Sequence, residues 1–539
     1  MTETNNGFLR YFATKQNLCF FGFLLCELCF LALICFMQIN EDEIEHIHAS
    51  WLVWEGYVPY RDFFEHHNPL LWYLFAPITA LFYDNANIVY FVNFLALIIN
   101  SINIYIIYKM LQRCSQRAPL VLCLTLIFCL AIAPEGRESF VTFRPDMFMN
   151  LCFFGGVLAF LRYTENHKRS NLILSFVLFT LSFFFLQKIA ILLICIGLEI
   201  LYCLYKKIIL PRDFLLSLIL PVLLCGGFAI YLTVYNLWSE YFLLNVEFNS
   251  LMLKHWGLSE YILKIADISF IFDVNFGYGG VSLAAVTKII IILALMSLPA
   301  FVKQGNIYIY TISYLFIAEL FSRMFIFSPH MYYFLILHIL AALILFTVVC
   351  RQMTRIVIAL ISILFILYWF ININLLVHSK TYISNMNIKM NYFRYVIDNS
   401  KPDDIILSGY QYPINLFRRD ADYTWFLLAD VGNIYNQYYR HDKFDINKII
   451  REKKPKIIII TDGRKTFLQQ RMTHIIKKYN RDILKIMSYT KKDYSHLLFH
   501  PEILQNNMFS SEIDEELLHR YYEPAPINDL WLRKSKVSE

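Results

Sequence analysis

Charge is what this 539-residue chain has least of: only 17% of its residues are Asp, Glu, Lys or Arg, against roughly 25% in an average soluble domain. With 58% apolar residues, that shortage excludes an ordinary soluble protein, and it is uneven. The first 376 residues hold 22 Lys and Arg and 22 Asp and Glu, whereas the last 163 hold 26 and 20, so a neutral membrane part is followed by a charged, soluble one. The membrane part has no dense basic cluster and hence no electrostatic footprint for nucleic acid. Cysteine is missing from everything after Cys350, all twelve lying between Cys19 and Cys350 in or beside apolar stretches. A tail without cysteine tolerates an oxidising compartment, so an extracytoplasmic location is open to it. Also absent are an internal repeat, a Walker loop, a dinucleotide-binding glycine fingerprint and any cysteine spacing suited to a metal.

What the chain does have is long apolar runs. Crossing about 30 Å of hydrocarbon takes about 20 helical residues, and eleven segments read as spans: Leu18–Ile39, Ile88–Tyr108, Pro119–Ala133, Met147–Leu161, Leu172–Leu186, Ile189–Tyr205, Phe214–Tyr235, Val281–Phe301, Tyr308–Phe321, Met331–Val349 and Ile356–Leu376. Leu18–Ile39 is too long for a signal-peptide core, carries Glu27 and lacks a cleavage site, so it reads as a retained span. Pro69–Phe82 is apolar over only 14 residues, which suits an interfacial or re-entrant helix. Threaded with the N-terminus inside, 14 of the 22 Lys and Arg fall on the cytoplasmic side while the eight carboxylates between Glu41 and Asp84 fall outside, following the positive-inside rule. The odd span number places the tail outside as well.

Beyond Val377 the pattern changes. Short apolar strands, Asp404–Ser408 and Lys456–Thr461, alternate with helical runs, Tyr392–Asn399 and Ile446–Lys453, which predicts a small α/β domain. The last 30 residues, with Asp514-Glu515-Glu516, Pro524 and Pro526, read as loosely ordered. The expected fold is an α-helical polytopic membrane domain, residues 1–376, of about 11 spans with an outer loop at 40–87, followed by a soluble α/β extracytoplasmic domain at 377–539.

The first outer loop concentrates carboxylates and imidazoles: Glu41-Asp42-Glu43-Ile44-Glu45-His46-Ile47-His48, then Glu55 through Leu70. Ionisable groups at a membrane edge are costly unless solvated or functional, so this is either a site or an acidic, solvated loop. Threading puts Asp146, Lys188 and His330 on the same outer face. A carboxylate that takes a hydroxyl proton and cations that hold a phosphate form the minimum set for transfer from a phosphate-linked donor. Singly, each has another reading: a helix cap for Asp146, a snorkelling lysine for Lys188, an interfacial residue for His330. His46, His48, His66 and His67, with His255 in the outer loop Trp238–Gly280, leave a divalent metal open. The His46/His48 spacing splits around a helix and an adjacent pair points two ways, so no metal ligand is assigned and no cofactor is required. In the tail, Arg418–Phe426 with Tyr435, Tyr438 and Tyr439 either offers stacking surfaces to a sugar or forms the core of the small domain and its seat on the membrane.

The Asp42-Glu43 pair just after the first span, followed by Ala49, Gly56, Pro59-Tyr60, Asp62 and His67-Asn68-Pro69-Leu70, resembles the polyprenyl-phosphate-sugar-dependent glycosyltransferases of the protein O-mannosyltransferase and aminoarabinose transferase group, within the glycosyltransferase C superfamily. The similarity continues through Arg144-Pro145-Asp146, Gln187-Lys188 and Pro329-His330-Met331-Tyr332-Tyr333. The resemblance implies an inverting transfer on the outer leaflet, in which an acceptor hydroxyl of a lipid, glycan or protein attacks the anomeric carbon of a sugar on a polyprenyl phosphate. It implies Asp42 as general base with Glu43 orienting or substituting, Asp146 as a second acid, and Lys188 as the cation on the lipid phosphate. Arg144 and Arg137 are added here as bidentate phosphate contacts, and His67, His330 and Tyr333 as neighbours of the site. Glu65 sits where the group places a further acid before a proline, although His66-His67-Asn68 intervene before Pro69. The expected location is a bacterial inner membrane with the tail in the periplasm; the partners are the lipid-linked donor, the acceptor and membrane lipids, without nucleic acid. Two rivals stand beside this reading. A lipid-sugar flippase or transporter predicts charges spread through mid-membrane positions, represented here by Glu27, Glu199 and Glu319; a noncatalytic scaffold predicts that the acids are dispensable.

Overall fold

The computed structural model of the chain describes residues 41–127, 141–251, 283–322, 335–352, 380–407, 415–423, 446–459, 515–526 and 530–534, with single residues between them. Arg137, His255, His330, Tyr333, Tyr438, the segment Thr424–Phe426, the span Ile356–Leu376 and most of Leu18–Ile39 lie outside the described residues.

The helices run in the order α1 (Glu41–Trp54), α2 (Leu70–Leu81), α3 (Ile88–Cys114), α4 (Ala118–Ile127), α5 (Pro145–Asn166), α6 (Arg169–Phe185), α7 (Ala190–Tyr205), α8 (Pro211–Val234), α9 (Trp238–Phe242, continued by a π-helical turn Leu243–Phe248), α10 (Leu283–Val302), α11 (Ile307–Ser322) and α12 (Leu335–Gln352). Among the described residues four helices are long and apolar enough to cross a membrane: Ile88–Cys114, Pro145–Asn166, Gln187–Tyr205 and Pro211–Val234. The others are shorter apolar helices. The 12-residue α2 reaches about 18 Å at 1.5 Å per residue, less than the hydrocarbon thickness, as its short apolar run predicted.

Local chemistry sets the helix ends. Pro145 and Pro211 open α5 and α8, where a missing N–H costs nothing and the fixed φ is already helical. Helix α5 ends at His167 in the left-handed region (φ 51°). Helix α5 is buried along its length and packs on α3 and α6. A Cβ on Gly156 would meet the Phe179 ring of α6 at 2.7 Å, so only glycine allows this approach. At the opposite extreme, α8 turns Leu215, Ile219, Val222, Leu223 and Ile230 outward, as a lipid-facing helix does.

Two findings prepare the site. The acid-rich stretch after the first span is a helix, α1, packed on α2, and Glu43, Glu45, His46 and His48 are buried in it; the reading as a solvated loop fails because α1 lies beneath other elements. Between α6 and α7 the chain turns extended at Leu186, then makes a single 3-10 turn, Gln187–Ile189. Lys188 therefore sits at a break between two apolar helices.

The C-terminal part comprises α13 (Lys380–Asn399), β1 (Ile405–Leu407), β2 (Arg419–Asp420), α14 (Ile446–Glu452), β3 (Ile457–Ile459), α15 (Glu515–Tyr521), β4 (Tyr522–Pro524) and β5 (Leu530–Arg533). The strands form one sheet in the order β2-β1-β3-β5-β4. Strand β1 is parallel to β2 and β3, whereas β5 is antiparallel to β3 and β4. Side chains alternate faces along a strand, and the sheet uses both: Ile406 and Ile457 join the apolar core of the helices, while Leu407 and Ile458 pack with Ala421, Ile450 and Tyr522. The expectation of a loosely ordered end is corrected by α15, β4 and β5. Leu530-Trp531-Leu532 supplies a strand that pairs with β3, and Pro524, which lacks an N–H, ends the edge strand β4, the kind of position to which proline is confined in sheets.

Candidate active site

On helix α1 residues three and four apart share a face, so Asp42, Glu45 and His46 lie side by side. Asp42 forms an ion pair with Arg144. The Arg144 Nε lies 3.3 Å from Asp146 Oδ2, and the other oxygen of Asp146 pairs with Lys188 Nζ. The Oε1 of Glu43 accepts the Phe143 backbone N–H at 3.1 Å. Acid, base, acid and base thus alternate along one chain of contacts drawn from α1, the N-terminus of α5 and the α6–α7 break. Arg144 is 6% exposed; unpaired, such a charge would cost several kcal/mol to bury, and the alternation removes that cost. Asp146 stands in the first turn of α5, where the helix dipole favours a negative charge, yet the capping position belongs to Arg144 with no side-chain cap. The cap reading of Asp146 therefore falls, and the Lys188 ammonium meets a carboxylate rather than snorkelling.

A second cluster adjoins the first. Glu65 accepts the His66 backbone N–H at 3.2 Å, and its Oε2 lies 3.2 Å from His67 Nδ1. Glu45 Oε1 is 3.9 Å from the same nitrogen, and the Glu45 and Glu65 carboxyls hydrogen bond to each other. His46 stands edge-on to His67 with ring centres 5.4 Å apart, and its Nδ1 accepts the Trp72 indole N–H at 3.3 Å. Burial pushes Glu45 well above the usual carboxylate range, with Glu65 adding to it, and raises Glu65 as well. Burial holds His46 well below the usual imidazole range, with His67 adding to it. The same effect lowers His66 and His67 to about 3, assisted by His67 in the first case and Lys188 in the second. The three imidazoles are neutral at pH 7.

The motifs noted separately in the sequence are one physical unit. The Asn68 backbone N–H donates to Gln187 Oε1 at 3.2 Å, and the Asn68 amide donates to the Phe183 carbonyl at 2.6 Å. The Gln187 amide donates to the His66 carbonyl at 2.7 Å and to Asn245 Oδ1 at 3.2 Å, and Tyr241 donates to Asn68 Oδ1 at 2.9 Å. The loop before α2 and the turn holding Lys188 are thereby fixed to each other.

The structure assembles Asp42, Glu43, Arg144, Asp146 and Lys188, and sets Glu65 and His67 beside them. His46 and His48 do split around a helix, as expected: His48 leaves the site and places Nδ1 2.9 Å from the Leu416 carbonyl and Nε2 2.8 Å from Asp420. His66 and His67 do not point two ways. Their ring centres are 4.1 Å apart, because Asn249 anchors one ring and Glu65 the other. Ligand atoms of Glu45, His66 and His67 lie within 4.8 Å of one another, as do those of Glu45, His46 and Glu65. The described aromatics of the tail form a seat: the Tyr423 hydroxyl donates to the Tyr60 carbonyl at 2.6 Å, and the tilted rings of Tyr435 and Phe64 have centres 4.8 Å apart. Sequence reasoning singled out the segment holding Arg418 and Asp420 but missed their pairing, Arg418 donating to Asp84 at 2.5 Å and Asp420 meeting His48, because these partners are hundreds of residues away.

Residues 66–238 match the family of dolichyl-phosphate-mannose-protein mannosyltransferases. The matched stretch begins in the histidine loop, includes Arg144-Pro145-Asp146 and Gln187-Lys188, and ends at the first residue of α9; Asp42 and Glu43 precede it. A search of curated proteins finds no match. The match covers about a third of the chain and, with apolar helices of membrane-crossing length in that stretch, supports a resemblance to membrane glycosyltransferases of the glycosyltransferase C superfamily.

Proposed function

We propose that the chain moves a sugar from a polyprenyl phosphate to an acceptor hydroxyl on the outer face of the membrane, with inversion at the anomeric carbon. The observation that carries this reading is the alternating chain Asp42–Arg144–Asp146–Lys188. A lipid phosphate competes for both cations and so releases the Asp42 carboxylate from its pair. Asp42 then takes the proton of the acceptor hydroxyl, the oxygen attacks the anomeric carbon, and the bond from that carbon to the phosphate oxygen breaks. Lys188 and Arg144 stabilise the departing phosphate as its charge grows, the point at which fixed cations lower a barrier most. Glu43, held by the Phe143 N–H, orients the end of α1. In this reading the C-terminal domain, residues 377–539, covers the site from the outside, reaching α1 through His48 and Asp420.

The test is transfer of label from a panel of polyprenyl-phosphate sugars to a mixed acceptor extract by the purified chain in lipid, comparing wild type with Asp42→Asn. The expected result is transfer by wild type alone, with donor binding retained in the variant. Label that never moves, while the lipid-linked sugar crosses the bilayer with both proteins, would replace this reading by the flippase.

A further inference from the structure

We propose that Glu45, His66 and His67 form a binding site for a divalent transition metal with zinc-like preferences. Two imidazoles and one carboxylate within 4.8 Å of one another are a set that holds zinc through three protein ligands and leaves a further position open. The imidazoles are oriented for it. The Asn249 amide donates to the His66 and Asn245 carbonyls, both at 3.1 Å, so its Oδ1 must accept from His66 Nδ1 at 3.0 Å. That fixes the His66 tautomer and leaves the lone pair on Nε2, the arrangement in which an outer hydrogen bond prepares a histidine for a metal. Glu65 contacts His67 Nδ1 in the corresponding way.

The charge balance points the same way. Glu45 is 3% and Glu65 1% exposed, and among the described residues no lysine or arginine pairs with either. Two touching carboxyls buried together with no lysine or arginine against them form an acidic pocket, and a dication offsets it. Two polar atoms in the cluster also find no partner among the described residues: Glu65 Oε1 and His46 Nε2. Because His46 Nδ1 accepts from Trp72, Nε2 carries the proton, and an oxygen bound to the metal would accept it. All ligands are nitrogen or oxygen. The site stands whether or not the chain transfers a sugar.

The experiment uses the full-length, tag-free chain in detergent, stripped with a chelator and reloaded. With zinc, gel-filtered wild type is expected to retain one metal per chain. With cobalt, it should show the strong visible absorption of a four-coordinate nitrogen and oxygen site and no thiolate charge-transfer band. Asn249→Ala, which keeps every ligand, should weaken zinc binding by about 10–100-fold, the double variant His66→Gln/His67→Gln by more, and His519→Ala not at all. Wild type that holds no zinc, a thiolate band in its cobalt spectrum, or equal affinity in wild type and a folded double variant would overturn the proposal. The wild-type readouts stand even if the double variant does not fold.

Discussion

Two polar clusters sit side by side against α1 and tolerate burial by opposite means. In the chain Asp42–Arg144–Asp146–Lys188 every charge has a neighbour of the other sign. In the cluster of Glu45, Glu65, His46, His66 and His67 the acids face each other and the imidazoles are neutral. The first arrangement neutralises itself and is broken by removing one member. The second is short of positive charge, so removing an acid relieves it. The difference also suggests a division of labour: a self-neutral chain opens to an incoming phosphate by exchange of partners, whereas an acidic pair with two oriented imidazoles attracts a cation.

The sharpest way to break this comparison is Asp42→Asn. A positioned general base contributes about 10²–10⁴-fold, and a loss of that size in turnover, with donor affinity kept, is expected. Next comes stability. Arg144→Met takes the guanidinium from half-buried Asp42 and from buried Asp146, leaving Lys188 on Asp146, and breaking a buried ion pair costs about 3–5 kcal/mol. Glu65→Gln in chelator-treated protein should behave in the opposite sense, because glutamine supplies an N–H toward Glu45 in place of the shared proton and removes a buried acid. Thermal unfolding in detergent measures both; equal destabilisation by the two substitutions would show that the clusters are not physically different. Lys188→Ala should lower kcat/KM by about 10²–10³-fold, the range for loss of one fixed stabilising donor, with weaker donor binding. Donor affinity and turnover equal to wild type in Lys188→Ala would remove the phosphate role.

The first cluster was legible in the sequence, whereas the second was legible in its residues but not in the way they converge, for a physical reason. Asp42 follows the first apolar run, Asp146 follows Pro145 at the start of another, and Lys188 interrupts two more. A charge at the edge of an apolar segment stands out because membranes penalise it. The second cluster depends on whether residues 41–48 form a helix or an extended loop, and their pattern offers only Ile44 and Ile47 as an apolar stripe. It depends as well on Asn249 and Gln187, ordinary amides that declare a role only once the loop is folded around them. The spans flanking Lys188 and the two parallel strands were readable from period and run length. Strands β4 and β5 were hidden by the acidic and proline-rich residues around them.

The smallest expected effect concerns the joint between α1 and the sheet. Burial raises the Asp420 carboxyl above the usual carboxylate range, although His48 and Asn415 pull it back, and the nearby Asp422 charge adds to the rise. A raised value means that the folded chain holds this proton more tightly than the unfolded one. The contribution to stability is therefore greatest below the unfolded value of about 3.9 and declines as pH rises through the folded one. Protonated Asp420 donates to His48 Nε2, which leaves Nδ1–H for the Leu416 carbonyl. Asp420→Asn preserves both the donor to His48 and the acceptor for Asn415, so it should keep the joint while flattening its share of the pH dependence. Melting temperatures of the two proteins between pH 4 and 7 would diverge with rising pH, the variant becoming relatively more stable. Parallel curves would mean that burial does not hold a proton on Asp420, and the joint would then add nothing to the pH dependence of stability.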